Sequence, residues 1–342
     1  MKEPLKISVV GLGRIGWKFH FENSRSLPNY DLISVVDPLD SRLAEARELS
    51  ECRTYKNFND IWKHDHPHVI AIAAPTNFHE RMTRKALREG SHVILEKPMT
   101  TSLKSADRMI AEAEKCGRKI FVYQPHRLTR ETQAVQDIIR SGIIGPVYSI
   151  RRAVYRYRRR NDWQSLRKNG GGMLNNYGAH YLDQVVSLSD GSPIVDVRCS
   201  QWAIATVGDA DDVVKVWLKT EEGQHLEVEI NQASAIDLPP WHICGKYGTA
   251  VLDNKAFHLR YYDPQKAPVL DVVDGAAPNR SYENNDQLPW VKERRLIADH
   301  PQLDFYQNVF EVIREGAEPH IKIEESRELM RIAEVCRRRS KF

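Results

Sequence analysis

The sequence predicts two α/β domains in tandem. Residues 1–124 read as a doubly wound parallel sheet, and residues 125–342 as a second α/β domain built on a mainly antiparallel sheet. Three observations carry this. Short apolar strands alternate with helices of about 10–15 residues through the first third, the rhythm of βαβ units. A glycine-rich turn, Gly11-Leu12-Gly13-Arg14-Ile15-Gly16, follows the first strand. After Gln124 the rhythm changes to longer, more polar strands joined by turns.

The first strand is Leu5–Val10, and a helix runs from the glycine turn to about Asn23. Then come a strand Asp31–Val36, helices Ser41–Leu49 and Phe58–His64, and a strand Val69–Ala73. A helix Glu80–Glu89, a strand Val93–Leu95, a helix Leu103–Cys116 and a strand Lys119–Tyr123 complete the first domain. Continuous apolar strands of this kind are buried on both faces. The second domain starts with a helix Glu131–Ser141. Its strands are Val147–Arg160, Val195–Ala205, Asp212–Lys219, Gln224–Asn231, Trp241–Cys244, Ala250–Asp253 and Phe257–Tyr262. A helix Met173–Leu188 interrupts them, Ala276–Ile297 reads as an irregular loop, and helices Phe305–Glu315 and Ile323–Arg338 close the chain.

The GxGxxG turn gains its meaning from context: a strand before it, a helix after it, and Asp37 at the end of the next strand, 21 residues after Gly16. Gly11 permits the tight turn, Gly13 lets a pyrophosphate approach the backbone, and Gly16 allows close helix packing. Free N–H groups near Arg14 and Ile15, at a helix N-terminus, favour phosphate. Asp37 would accept hydrogen bonds from the adenosine ribose and repel a 2′-phosphate, so NAD is favoured over NADP. Arg42 stands near enough to Asp37 to greet that phosphate. After the third long strand, Pro75-Thr76-Asn77 suit a loop whose backbone approaches a ligand, with Asn77 as a helix cap. His79 reads either as a capped surface histidine or as a neighbour of the cofactor.

Lys97 ends the run SHVILEKP, just past the carboxyl end of a strand, where open α/β sheets place their chemistry. A surface lysine in a turn is the competing reading. Behind Gly170-Gly171-Gly172, Asn176, His180 and Asp183 fall on one helix face. A histidine near an acid is a general acid/base arrangement in which the acid orients the ring; a structural histidine is the alternative. Arg127, after the fifth strand, reads as a substrate contact or a helix cap. Residues 151–168 hold seven arginines and one lysine against one acid. Within Arg151–Arg160, Arg152, Arg156, Arg158 and Arg160 would share one strand face, with Tyr155 and Tyr157 on the other. That stretch fits a solvated edge, a subunit contact or a site for an acidic substrate.

These residues resemble one family, the glucose–fructose oxidoreductase/inositol dehydrogenase (Gfo/Idh/MocA) group. The resemblance rests on VVGLGRIG at Val9–Gly16, APTNFH at Ala74–His79, HVILEKP at His92–Pro98 and GGGMLNNYGAHYLD at Gly170–Asp183. The closing run Asp304–Arg338 adds to it. It implies a Rossmann domain, then an α/β domain whose open, mainly antiparallel sheet forms homodimers or homotetramers. The implied activity is an NAD(P)-dependent oxidoreductase, a dehydrogenase of a secondary alcohol or ketone on a sugar, inositol or related polyol. Carried over, Lys97 resembles the active-site lysine, preceding a cis bond to Pro98, and His180 the catalytic histidine. Glu96 and Gln124 would line the nicotinamide side, and Trp163 would lie near it. Gln164 stands where the family often has arginine, and Asn176 where many relatives have aspartate. An amide orients a hydroxyl but cannot take its proton, so the acid–base work falls to His180 and Lys97, with Asp183 acting on His180.

A net charge of +4 argues against a nucleic-acid partner, and Cys52, Cys116, Cys199, Cys244 and Cys336 are too scattered for a zinc site or disulfide framework. No metal is expected. No run approaches 18 apolar residues, so no membrane partner is expected and the chain reads as cytoplasmic. The resemblance also admits a glycosidase that oxidises its sugar transiently, as some relatives do, and a non-catalytic NAD-binding regulator is a further alternative.

Overall fold

The computed structural model describes residues 2–189, 191–272, 275 and 286–340. In chain order the elements begin with β1 (Leu5–Val10), α1 (Glu22–Ser26), β2 (Tyr30–Val36), α2 (Asp40–Leu49) and β3 (Arg53–Tyr55). They continue with α3 (Ile61–His64), β4 (Val69–Ile72), α4 (His79–Arg88), β5 (His92–Glu96), α5 (Leu103–Cys116) and β6 (Ile120–Tyr123). Next come α6 (Arg130–Arg140), β7 (Val147–Tyr155), α7 (Ala179–Ser187), β8 (Ile194–Trp202), β9 (Val213–Thr220) and β10 (His225–Asn231). β11 (Trp241–Gly245), β12 (Gly248–Asp253), β13 (Ala256–Tyr261), β14 (Val291–Leu296), α8 (Phe305–Glu315) and α9 (Ile323–Arg339) follow.

The chain divides into two compact units. The first holds residues up to 128 together with 174–187 and 303–340; the second holds 129–173 and 188–302. Thus α7 and α9 belong with the parallel sheet: α9 packs against α5, α7 and β6.

The first unit is built on six parallel strands in the order β3-β2-β1-β4-β5-β6. That order reverses between β1 and β4, which defines the crevice where such sheets bind ligands. β4 is buried along its whole length and β1 everywhere but Lys6, as strands covered on both faces must be. The core around them joins Ile7, Val9, Val69, Ala71, Ile94 and Phe121 to Tyr306 and Phe310 of α8. Local chemistry sets the helix ends. Ser102 accepts from the Ser105 N–H at the start of α5, and Gly117 ends it with φ +59°. Asp304 accepts from the N–H groups of Tyr306 and Gln307 at the start of α8.

The second unit is an eight-stranded sheet in the order β14-β13-β12-β11-β7-β10-β9-β8, antiparallel except for the β7–β10 pair. Three expectations are corrected here. Residues 276–285 of the expected loop lie outside the described residues, but 291–296 form β14, an edge strand paired antiparallel with β13. Its sequence, VKERRL, has almost no apolar signal because an edge strand is held by main-chain bonds and few buried side chains. The strand expected over Val147–Arg160 stops at Tyr155, beyond which Tyr157 makes one isolated bridge to Ala233. Arg152 is buried, 3.2 Å from Glu131 and over the Trp241 ring, whereas Arg151 stands beside Tyr155 and Glu229. β3 was not anticipated at all; three half-exposed residues carry no alternation to read.

Among the described residues, no helix is long and apolar enough to cross a membrane, no group of side chains could hold a metal, and Cys52, Cys116, Cys244 and Cys336 are in no disulfide.

Candidate active site at the carboxyl end of the parallel sheet

Five strand ends bring the candidate residues of the first unit together. β1 runs into Gly11, whose N–H donates to Val36 O (2.8 Å) and whose φ of +89° suits glycine. A Cβ on Gly11 would lie 2.8 Å from Ala73 O, and one on Gly16 would overlap the Gly11 carbonyl. Gly13 has open space where a Cβ would sit. The turn therefore has two glycines required by packing and one that leaves the backbone accessible, which fits the diphosphate of a dinucleotide. Gly16 opens a π-helical turn, Gly16–Phe21, before α1, with Arg14 and Ile15 exposed at its start.

Asp37 ends β2, and its carboxylate accepts from the Leu12 N–H (2.7 Å), the Leu39 N–H (3.0 Å) and Arg42 (3.2 Å). At 1% exposure it latches the glycine turn from behind. A carboxylate has about four lone-pair directions, so these bonds leave it some capacity for a ribose hydroxyl. The Arg42 guanidinium beside it is exposed.

After β4, Pro75 leads into a 3₁₀ turn, Thr76–Phe78. Asn77 lies inside that turn, and α4 starts without a side-chain cap. His79 is buried. Its Nε2 lies 2.9 Å from Ala74 O, and its Nδ1 lies 3.2 Å from Pro98 O and 3.3 Å from Met99 O. Burial lowers its pKa, opposed by these carbonyls. The ring thus sits between the loop after β4 and the loop after β5, and when neutral it donates to the carbonyls of one of them.

That second loop carries Glu96 and Lys97, and its Lys97–Pro98 peptide is cis. Glu96 turns inward: Oε1 lies 2.9 Å from His20 Nε2, and Oε2 accepts from the Lys97 N–H (3.1 Å). The other His20 nitrogen lies 2.7 Å from the Tyr306 hydroxyl. A carboxylate on Nε2 requires the proton there, leaving Nδ1 to accept from Tyr306. Lys97 Nζ donates to Asn176 O (3.3 Å) and Asn176 Oδ1 (3.4 Å). Burial lowers the Lys97 pKa, against the opposing pull of Glu96. At the end of β6, Gln124 Nε2 donates to Ala179 O (3.2 Å), while its buried Oε1 has no hydrogen-bond partner. An orphaned acceptor beside the lysine turn can take an amide N–H, which again fits a nicotinamide carboxamide.

Asn176 lies in a π-helical turn, Leu174–Gly178, that precedes α7, so the same-face argument from α-helical spacing does not apply to it directly. His180, in α7, has a buried Nδ1 with no hydrogen-bond partner. Burial, then the charge of Lys97, then His126, hold its pKa well below the ordinary histidine value. The ring is therefore neutral at pH 7.

Asp183 and Arg127 have different partners from those expected. Both Asp183 oxygens accept from Arg127, one from Nε at 2.9 Å, and the third Arg127 nitrogen bonds Glu325 of α9. Burial pushes the Asp183 carboxyl up while Arg127 pulls it down, and its bonds go to the guanidinium, with none to the His180 ring. Arg127, 3% exposed, is committed to this triad; burial opposes its charge, but Asp183 and Glu325 raise its pKa above normal. A buried guanidinium needs a full set of acceptors, which is why the acid goes to the arginine. The residue missed from sequence is His126, whose ring stacks on His180 with centroids 4.0 Å apart and planes 8° from parallel. Its position just past β6, beside Gln124, is the signal that could have singled it out. Trp163 lies in the second unit, in a short 3₁₀ turn capped by Asp162, with 61% exposure.

Two family models match. "Oxidoreductase family, NAD-binding Rossmann fold" covers residues 5–124, and "GFO/IDH/MocA C-terminal domain" covers residues 132–251. The chain is 28% identical to D-glucoside 3-dehydrogenase of Escherichia coli over 190 residues, 53% of this chain and 52% of that protein. It is 22% identical to scyllo-inositol 2-dehydrogenase (NADP(+)) IolW of Bacillus subtilis over 353 residues, 99% of this chain and 94% of that protein. The first curated relatives are matched over only about half their length, 52% in each case. The WlbA dehydrogenase of Bordetella pertussis, solved with NADH and UDP-GlcNAcA, shares the fold with TM-score 0.76 and 21% identity, covering 99% of this chain and 96% of that one.

Proposed function

The chain belongs to the Gfo/Idh/MocA oxidoreductase family, and on that premise we propose that it moves a hydride between NAD(H) and a carbon bearing a hydroxyl. The substrate we propose is a sugar, inositol or related polyol, and the oligomer a homodimer or homotetramer formed through the second unit's sheet. The observation that carries the reading is the meeting of Lys97 with Asn176 at the mouth of the parallel sheet, on the segment that leads into His180.

Bound NAD supplies the hydride acceptor, and the chain's own residues handle the proton and the charge. His180 is neutral at pH 7, so it is free to receive the hydroxyl proton. A base whose pKa is this low holds that proton weakly and depends on help with the charge left on oxygen. Lys97 provides it: its ammonium is partly buried, already aimed at Asn176, and hydrogen-bonds an oxygen more strongly as negative charge develops there. The Asn176 amide has no proton to give up at neutral pH; it orients the hydroxyl and steers Lys97 Nζ. Gln124 and the glycine turn are the groups that would hold the two ends of the cofactor. Glu96 and His79 hold the loop that presents Lys97.

NADH formation by the intact protein over a panel of sugars, inositols and uronic acids tests the reading, with NAD and NADP supplied in turn. Turnover with NAD on at least one polyol is expected. Tight NAD binding with no reduction on any member of the panel would defeat it.

A further inference from the structure

We propose that His126 is a positioning residue for His180: its imidazole fixes the plane of the His180 ring and, by taking the pair's first proton, adds its charge to the burial and the Lys97 ammonium that keep His180 uncharged. This rests on the reading of His180 as the group that receives the substrate proton.

The geometry is that of a parallel stack of two imidazoles, ring centroids 4.0 Å apart. Two positive rings at that spacing repel, so the pair accepts one proton readily and the second reluctantly. In a face-to-face stack the N–H bonds and lone pairs lie in the ring planes, so neither ring hydrogen-bonds the other and the coupling acts through charge and contact. The rings are held by different segments, His180 by α7 and His126 by the 3₁₀ turn Pro125–Leu128. The two segments are fastened twice. Gln184 Nε2 of α7 donates to His126 O (3.1 Å), and Arg127 binds Asp183 through both carboxylate oxygens. Asp183, expected to act on His180 directly, thus works one step away, by holding the stack together through Arg127.

Other charged groups around the pair have partners that limit their influence. Lys97, from the loop after β5, adds to the repulsion of a proton on His180. Glu96 is turned to His20. From α9, Glu325 is spent on Arg127, and Arg337 donates to Asn175 Oδ1. No acid among the described residues bonds His180 Nδ1. A histidine without an acid to steer it needs another means of orientation, and the neighbouring ring supplies it.

The test is an NMR titration of the histidine rings in the full-length chain, with signals assigned through His126→Phe and His180→Asn. In the parent protein both rings should report the same two apparent pKa values, with the first step larger at His126 and the second larger at His180. His126→Phe keeps a flat ring on His180 but removes the proton site. It should turn the His180 curve into a single step displaced upward by about one pH unit, a tenfold gain in proton affinity. The acid limb of kcat/KM should move with it. His126→Ala, which removes both ring and charge, should show the same displacement with a further loss of kcat that His126→Phe restores. If the phenylalanine variant fails to fold, His126→Asn is read in the same way. An unchanged His180 titration in a folded His126 variant overturns the proposal. Because the titration needs no turnover, a coupled pair in a protein that oxidises nothing would refute the proposed function and leave the charge coupling standing.

Discussion

Asp183→Asn should destabilise the first unit by about 3 kcal/mol, at the lower end of the 3–5 kcal/mol range for breaking a buried ion pair from one side. The perturbation is small in volume and removes only charge. In the parent both carboxylate oxygens accept from Arg127, one of them at 2.9 Å, and both residues are at most 3% exposed. An amide can satisfy one of those donors but leaves the guanidinium charge without its main counterpart. Glu325 still pairs with Arg127, and because it is only partly buried it compensates in part, which selects the lower end of the range. About 3 kcal/mol is a factor of roughly 150 in the folding equilibrium, a large share of the 5–15 kcal/mol typical of a domain. Urea unfolding followed by a probe in the first unit measures it, and Arg127→Met, alone and combined with Asp183→Asn, completes a double-mutant cycle. The double variant should recover more than about 1 kcal/mol of the summed single losses, since neither charge is then left alone. A loss below about 1 kcal/mol in Asp183→Asn would show that this pair does not hold the unit together.

Two further outcomes follow from the same geometry. Arg108 holds the Glu80 carboxyl down to about 2, and Arg88 with Arg84 hold Glu112 at about 2. Groups depressed on folding contribute stability that is present above their unfolded value of about 4.5 and is lost as pH falls towards 2. Combining Glu80→Gln with Glu112→Gln should therefore flatten the fall of the thermal midpoint over that window, and an unchanged slope would contradict it. At the glycine turn, Gly13→Val should fold normally because its Cβ meets nothing, yet lose NAD affinity by about tenfold or more. Gly16→Ala should impair folding itself, so calorimetry of NAD binding beside thermal melts separates the two, and equal effects from both would argue against a cofactor at this turn.

The parallel sheet was legible because its strands are apolar throughout and separated by helices with clear periodicity; every strand of that sheet but β3 was anticipated to within a few residues. The antiparallel strands were legible from β7 to β13 for the same reason of pattern. β14 was not, since an edge strand shows little of itself in side-chain type. At the site, position along the chain identified Lys97, Asn176 and His180, but not how each polar group is satisfied. Asp183 sits three residues from His180, a spacing that invites pairing, yet a buried guanidinium 56 residues away takes both its oxygens. Glu96 goes to His20 for a similar reason. Partner choice among buried polar groups depends on which charges the fold leaves without water, and spacing in one segment does not reveal that.

The most direct measurement is kcat/KM of Lys97→Met and His180→Ala on the best polyol of the panel, beside the NAD dissociation constant of each. Both variants should bind NAD within a factor of about two of the parent and lose about 10²–10⁴-fold in kcat/KM, the usual contribution of a positioned acid or base. Near-parental rates in both, with NAD bound, would contradict the assignment of the proton chemistry to this pair.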